Sequence, residues 1–397
     1  MKPGPSFSRI WRCALRSRPP PKRLSAGLAL MLAIGVTVFA GRETAAQNKD
    51  FPITSGESCA NAKCHAETAK KKFVHAAAAT GDSCILCHQP QDNRHRFKFA
   101  AEGAALCAQC HPSKSDKKFV HAPVAAGLCT VCHNPHQSDH PKQLNFAPAA
   151  LCLTCHDQKA FQGTVTHGPV ADGQCVQCHD PHTSDQPRRL RAAVPQLCFN
   201  CHDKPQKDAK GVFLPPVKTT FEDKGQVQHL PFAIGDCLLC HRPHASANHR
   251  LLAKPYPESF YAAFAKEQYV CFECHGDQAF TAPRTLIETG FRNGNLNLHY
   301  RHVNRIKGRT CRACHHHHGG KHPKLVRDSV PFGSRQITID LFEKTETGGK
   351  CGPTCHAVVR YDRFEPVRNP LKVTPREGKD ATPEELERAR ADQTKRN

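Results

Sequence analysis

Apolar residues in this chain come in short clusters, with one long exception at its start. Leu28 to Ala40 is an apolar stretch inside an uncharged run from Ser25 to Gly41. Before it stand Arg9, Arg12, Arg16, Arg18, Lys22 and Arg23, and after it the small residues Thr44-Ala45-Ala46 lead to Gln47. Basic leader, apolar core and small-residue site, in that order, predict a signal peptide over residues 1–46. The uncharged run, about 17 residues long, is at the short limit for a membrane span, so a retained N-terminal anchor is the alternative. Cys13 precedes the apolar core and cannot be a lipid-attachment cysteine behind it. No second long apolar run follows, so the mature protein is expected to be soluble.

Beyond the leader no sustained amphipathic period appears, and Pro, Gly and turn residues are frequent. Three elements are predicted: a helix over 257–269, a strand where 336–342 alternates, and a short capped helix over 382–390 within a charged tail from Arg376. The remaining apolar residues cluster beside cysteines and histidines. Phe73-Val74-His75 is echoed by Phe119-Val120-His121, and Leu106-Cys107 by Leu151-Cys152 and Leu197-Cys198.

The clusters lead to the segment Cys175-Val176-Gln177-Cys178-His179-Asp180-Pro181-His182. Cys-x-x-Cys-His is the attachment signature of c-type haem. Two thiols add across the haem vinyl groups, and the next histidine is aimed at the iron as proximal ligand. Cys59/Cys64/His65, Cys84/Cys87/His88, Cys107/Cys110/His111 and Cys129/Cys132/His133 share the pattern. So do Cys152/Cys155/His156, Cys175/Cys178/His179, Cys198/Cys201/His202 and Cys237/Cys240/His241. Cys271/Cys274/His275, Cys311/Cys314/His315 and Cys351/Cys355/His356 complete the series. These eleven motifs use all of the 23 cysteines except Cys13. The first motif has a widened spacer, Ala60 to Lys63, and so has the last, Gly352 to Thr354. Zinc ribbons also use paired cysteines, and exported chains use disulfides, but neither requires a histidine after every pair. Eleven covalently attached haems c are therefore expected.

The motifs fall into two-haem units: 47–106, 107–151, 152–197, 198–270 and 271–350, with a closing half-unit at 351–375 and the charged tail at 376–397. Five histidines precede the second motif of a unit, His75, His121, His167, His229 and His302; five follow it, His95, His136, His182, His244 and His318. These ten are candidate distal ligands, and His299 is the candidate for the eleventh haem. His140, His249, His316, His317 and His322 remain, and are expected to be solvated or bonded to haem propionates. Each motif should form a short helical turn that sets a cysteine and the histidine four residues on along one face. The fold class expected is a haem-packed, elongated array of two-haem units, mostly loops and short α-helices with little β structure. Loops should wrap the haems. Side chains alone cannot supply the core, so the haem-free chain should be largely unfolded.

Composition narrows the function. Removing the leader takes away Trp11, Met1 and Met31, the only tryptophan and methionines. No haem then has a methionine ligand from its own chain, and since methionine raises a haem's potential, low potentials follow. Without the leader the formal charge of +21 falls to about +14. Eleven haems bring about 22 propionates, which bring the charge to about −8 with neutral ferrous haems and about +3 with ferric ones. The basic residues are counter-charge, so neither a nucleic acid nor a membrane surface is implied.

The stretch from His167-Gly-Pro-Val-Ala-Asp-Gly-Gln-Cys175 through Leu197-Cys198-Phe-Asn-Cys201-His202 resembles the low-potential multihaem cytochromes c with doubled CxxCH repeats. That family includes cytochrome c3-like proteins and periplasmic subunits of porin–cytochrome conduits, and the likeness spans roughly Cys59 to His356. It implies bis-histidine haems, close stacking, and electron transfer between inner-membrane or periplasmic donors and outer-membrane or extracellular acceptors. The expected partners are thus redox proteins, such as a quinol-oxidising inner-membrane cytochrome, and the expected location is the periplasm or the outer surface. Eleven motifs, widened terminal spacers and two long late units depart from the ten-haem pattern of such conduits. Two alternatives stand beside the electron carrier. One is a multihaem oxidoreductase of nitrogen or sulfur oxyanions, or a hydroxylamine-type oxidase, with one open haem. Its first suspect is the Cys351/Cys355/His356 site, near Tyr361, Asp362 and Arg363; no Cys-x-x-Cys-Lys motif occurs. The other is a homo-oligomer or a subunit of an extracellular filament.

Overall fold

A computed structural model describes residues 59–60, 65–92, 95–208, 210–332, 335–339, 342–352 and 357–369. The predicted leader, Cys64, Cys355, His356 and the 382–390 helix lie outside them. The chain divides into two units, 1–51 and 52–397, and the described residues belong to the second.

The regular structure of this unit consists of short turns of helix and short paired strands, many of two residues, joined by loops. Frequent Pro and Gly prevent longer elements. No helix among the described residues is long and apolar enough to cross a membrane.

From residue 65 to about 252 one pattern repeats. The strand Phe73–Val74 pairs antiparallel with Gln137–Ser138, and Phe119–Val120 with Thr183–Ser184. Val165–Thr166 pairs with Ala245–Ser246, and Val227–Gln228 with Gly319–Gly320. Each pairing joins the lead-in to one non-motif histidine with the exit from another, roughly sixty to ninety residues later. Gly173 explains how a unit closes. Its φ is +67°, and a Cβ there would lie 2.7 Å from that of Ala149. Only glycine lets the approach to Cys175 pack so closely on the helix Pro148–Leu153, which carries Cys152.

The remaining segment, from about 253 to 369, is built differently. Tyr256, Phe264, Tyr269 and Val303 form a buried cluster, with Phe272 and Phe280 packed against it. A second cluster gathers Val330, Ile337 and Ile339 where Ser329–Phe332 pairs with Arg335–Thr338. Glu343–Lys344, Gly348–Cys351 and Val359–Asp362 form a three-stranded sheet.

The helix expected over 257–269 is not formed: this segment runs irregularly, with one short turn at Lys266–Gln268. Tyr261 makes a bridge with Arg309, and the Ala262 amide donates to the Gly308 carbonyl at 2.9 Å. Tyr256, Ala263, Phe264, Ala265 and Tyr269 are all buried, so the segment is covered on several sides and tertiary contacts override helix propensity. The alternation at 336–342 yields a strand over Arg335–Thr338.

Candidate functional site

The motifs fold as local turns. In most of them the histidine amide donates back to the carbonyl of the first cysteine: His111 to Cys107 at 2.9 Å, His133 to Cys129 at 3.0 Å, His179 to Cys175 at 3.1 Å and His315 to Cys311 at 2.8 Å. The widened first motif keeps this bond, His65 to Cys59 at 3.3 Å.

The attachment cysteines are not equally enclosed. Cys110, Cys155, Cys201 and Cys274 are exposed, whereas Cys132, Cys178, Cys240 and Cys314 are half-buried. The first four are the second cysteines of the motifs that open a unit; the other four belong to the motifs that close one. The difference has a backbone cause. Behind a closing motif the chain folds back, and the amides of Asn145, Arg191, Ala253 and Arg327 donate to the carbonyls of Cys132, Cys178, Cys240 and Cys314 at 2.7 to 2.9 Å. Cys110 and Cys274 are held within their own turns as Cys132 and Cys240 are, each amide donating to the first cysteine of its motif at 3.2 to 3.3 Å, but among the described residues no returning amide reaches the carbonyls of Cys110 and Cys274. Protein therefore leaves these two thiols at the surface, and a haem attached to them would supply the cover.

Tertiary structure then brings histidines together in pairs. His65 faces His95 at 6.0 Å between ring centres, His88 faces His136 at 6.0 Å, and His111 faces His75 at 5.9 Å. His133 faces His182 at 6.0 Å, His156 faces His121 at 6.1 Å, and His179 faces His244 at 5.9 Å. His202 faces His167 at 6.3 Å, His241 faces His318 at 6.3 Å, and His275 faces His229 at 6.1 Å. Every one of these nine pairs joins a motif histidine to a histidine outside the motifs. The spacing suits a metal held between two imidazoles: two bonds of about 2 Å each, plus the reach from nitrogen to ring centre on both sides, fill it. Among the described residues no cluster of three or more His, Cys, Asp or Glu converges on a metal-sized site.

The rings are held in the ligand state. His133 Nδ1 lies 2.9 Å from the Lys142 carbonyl, His179 Nδ1 3.0 Å from that of Arg188, His241 Nδ1 3.1 Å from that of Arg250 and His315 Nδ1 2.8 Å from that of Lys324. A carbonyl only accepts, so Nδ1 carries the proton and Nε2 is left for a metal, the usual outer-shell arrangement. Burial, then the facing His241, lowers His318 to about 4. Burial also lowers His167 and, with the facing His133, His182. A metal needs the neutral ring.

A family model for the doubled CXXCH motif matches residues 75–116, 121–161, 167–207 and 229–280. No curated protein was found to match the chain. The chain is a multihaem c-type cytochrome.

Each match in this cytochrome begins on a non-motif histidine, and that histidine faces the second motif inside the same match: His75 with His111, His121 with His156, His167 with His202, His229 with His275. The motif that opens each match takes its partner from further along the chain: His136, His182, His244 and His318. The two kinds of partner are tied together, because the His75 amide donates to the His136 carbonyl at 2.8 Å. His121 to His182 at 2.8 Å, His167 to His244 at 3.0 Å and His229 to His318 at 2.8 Å repeat the link. One short strand pair thus fixes two histidines that serve different motifs.

The ends of the series break this rule. The first motif has no earlier segment to draw on, and His95, in a left-handed turn at φ 62°, faces it instead. Near the other end, His299 is pushed down to about 3 by burial and then by His315 and His302. It therefore sits beside the tenth motif, where its place in the sequence reserves it for the eleventh. Its Nδ1 is 2.8 Å from the Thr289 hydroxyl, and His302 Nδ1 is 2.7 Å from the Leu298 carbonyl, which leaves Nε2 of each ring facing away from these bonds.

The haem motifs also follow one another in space as they do in sequence. The first cysteines of the two motifs in a unit touch: Cys59 with Cys84, Cys107 with Cys129, Cys152 with Cys175, Cys198 with Cys237 and Cys271 with Cys311. Between units Cys87 neighbours Cys107, Cys132 neighbours Cys155, Cys178 neighbours Cys201, Cys240 neighbours Cys271 and Cys274, and Cys314 neighbours Cys351. No described cysteine is in a disulfide.

Among the leftover histidines, His322 Nε2 is 2.9 Å from an Asp328 carboxylate oxygen, and His317 Nε2 is 3.4 Å from the Tyr256 hydroxyl. The His249 Nε2 is buried without a partner. The single-sequence reading missed the Nδ1-accepting turns at Lys142, Arg188, Arg250 and Lys324. Their signal was available as a basic residue nine positions after His133, His179, His241 and His315, the second motif histidines of four units.

Proposed function

We propose that this cytochrome is an exported electron carrier with eleven haems c, each held by two histidines, and that electrons pass along them in sequence order. The observation that carries the reading is the unbranched succession of neighbouring motifs combined with two facing imidazoles at nine of them. Bound haem would supply one-electron chemistry at its iron; the chain's part would be to hold each iron with a motif histidine and a facing histidine, so that substrates find no open site, and to set each haem against the next. His299 completes the haem of Cys311, Cys314 and His315. His302, one helical turn on, completes the haem at Cys351, Cys355 and His356. Its ring stacks on Phe291 at 5.8 Å, Phe291 meets Tyr361, and Arg309, which neighbours Cys351, donates its amide to the His302 carbonyl at 2.9 Å.

The side chains that would serve an enzyme at this last haem are occupied elsewhere. Asp362 accepts hydrogen bonds from the Phe364 and Glu365 amides and from the Thr347 hydroxyl, which hold its carboxyl down at about 2. Arg363 spends its guanidinium on the Thr347 and Glu346 carbonyls. A group with that pKa is a poor proton donor at neutral pH. In this reading the partners are redox proteins on either side of the periplasm, reached through the terminal haems.

Low-temperature EPR of the oxidised holoprotein, integrated against a haem assay and intact mass, tests the proposal. Eleven haems, all low-spin, are expected. A stoichiometric high-spin signal that shifts with nitrite, hydroxylamine or cyanide would replace the carrier by an enzyme.

A further inference from the structure

Four turns follow the second motifs of the units, and each holds two consecutive non-glycine residues in the left-handed region: Lys142 and Gln143, Arg188 and Arg189, Arg250 and Leu251, Lys324 and Leu325. Such a conformation is costly for residues with a side chain, and observed backbone outliers point to function. The first residue is basic in all four, and its carbonyl accepts from the histidine of the motif. The turn therefore ties a cation to the proximal ligand of the haem by a fixed length of chain.

In one turn both positions are arginine. The Arg188 carbonyl accepts from His179 Nδ1 at 3.0 Å, which sets Arg188 beside the pair of His179 and His244. The Arg189 carbonyl accepts from the Asp180 amide at 2.8 Å, and the carbonyl of the next residue, Pro181, lies 3.0 Å from His121 Nδ1. His244 faces His179, and His121 faces His156, so the two arginines stand at consecutive haem sites. The Arg189 Nε is buried with no hydrogen-bond partner. Neither arginine pairs with a carboxylate among the described residues. The nearby acid is already committed, Asp180 being 3.7 Å from Arg191 and capping the His182 and Thr183 amides. A buried guanidinium nitrogen without an acceptor is expensive, and a planar fork beside a haem edge suits a carboxylate.

We propose that the Arg188–Arg189 turn is a two-haem carboxylate clamp: Arg188 holds a propionate of the haem at Cys175, Cys178 and His179, and Arg189 a propionate of the haem at Cys152, Cys155 and His156. The clamp fixes two consecutive haems relative to one turn and raises both potentials. A nearby cation opposes the positive charge gained when ferrous haem is oxidised, so its loss favours the ferric state. Lys142, Arg250 and Lys324 hold the Arg188 position in the other turns. Arg189 has no basic counterpart there, since Gln143, Leu251 and Leu325 take its place.

The inference rests on haem being bound at these histidine pairs, and a redox titration of the holoprotein with haem content measured alongside separates the two. Arg188→Gln and Arg189→Gln should each lower the reduction equilibrium of one haem equivalent by about tenfold, or 59 mV for a one-electron couple, with the remaining haems superimposing on the parent. The double variant should move two equivalents. Arg189→Lys should retain most of the potential. Arg188→Gly, which relieves the left-handed strain but removes the charge, should shift like Arg188→Gln. Full haem content with titrations that superimpose on the parent would overturn the clamp and leave the carrier standing. A parent holoprotein whose haem content falls short of these two sites would instead count against the haem reading itself.

Discussion

The repeat segment, about 65–252, and the segment from 253 to 369 solve the problem of a core in opposite ways. Among the described residues of the first, the buried hydrophobic side chains are Phe199 and Phe232, while Leu128, Val131, Leu153 and Val176 beside the motifs are exposed. The second buries Tyr256, Phe264, Tyr269, Leu298, Val303, Val330, Ile337, Ile339 and Tyr361. The first is protein wrapped on places for haem; the second has an interior of its own. The difference teaches that a haem file needs little protein packing along its middle, and that side-chain packing appears where the regular exchange of histidines runs out.

The largest expected effect comes from removing haem. Hydrogen exchange of the haem-free chain should show residues 65–252 unprotected, with slower exchange surviving around 256–303. Equal loss in both segments would erase the contrast. Next, Phe264→Ala should cost about 3–5 kcal/mol in denaturant unfolding of the holoprotein, the usual range for a fully buried ring.

Acid sharpens the comparison from another side. His318 is held neutral down to about 4, whereas its ordinary value is 6.5. The unfolded chain takes up this proton first, so the stability linked to His318 is full above about 6.5, falls as the pH drops, and is gone below about 4. Low-spin absorbance of the haem between His241 and His318 followed through an acid titration checks this.

A smaller effect is expected at Gly173, where alanine would meet both the left-handed backbone and Ala149; a loss of about 1 kcal/mol or more should appear in the unfolding midpoint. The smallest is Leu128→Ala, which at 51 % exposure should change stability by no more than about 0.5 kcal/mol. A large loss there would mean that haem covers Leu128, and would narrow the contrast between the segments.

Much of the candidate site was legible in the chain because its chemistry is local. A cysteine, its partner and the following histidine are fixed by covalent spacing, and Cys175 to His179 announces its turn without help from elsewhere. How far protein covers each thiol was not legible: Cys110 and Cys132 sit in like motifs, and only the chain folding back at Asn145 separates them. The non-motif histidines were recognisable as a class by their place in the repeat. Their partners were not, because His75 meets His111 while His136 meets His88, and only the pairing of Phe73–Val74 with Gln137–Ser138 decides this. The place of His299 was not legible for the same reason: its position in sequence resembles a spare ligand, and its neighbour His315 is known only from the fold. The 257–269 segment misled because its apolar residues suit a helix and a buried irregular strand of chain equally well.

The sequence by itself determined the attachment motifs, the repeat, the absence of methionine ligands beyond the leader, and the loop-rich character, since each depends on residues a few positions apart. The tertiary structure decided which histidine faces which motif, the single-file order of neighbouring sites, and where a protein core replaces the repeat. Those depend on contacts between residues dozens of positions apart, which strand pairing and close packing select and spacing along the chain does not encode.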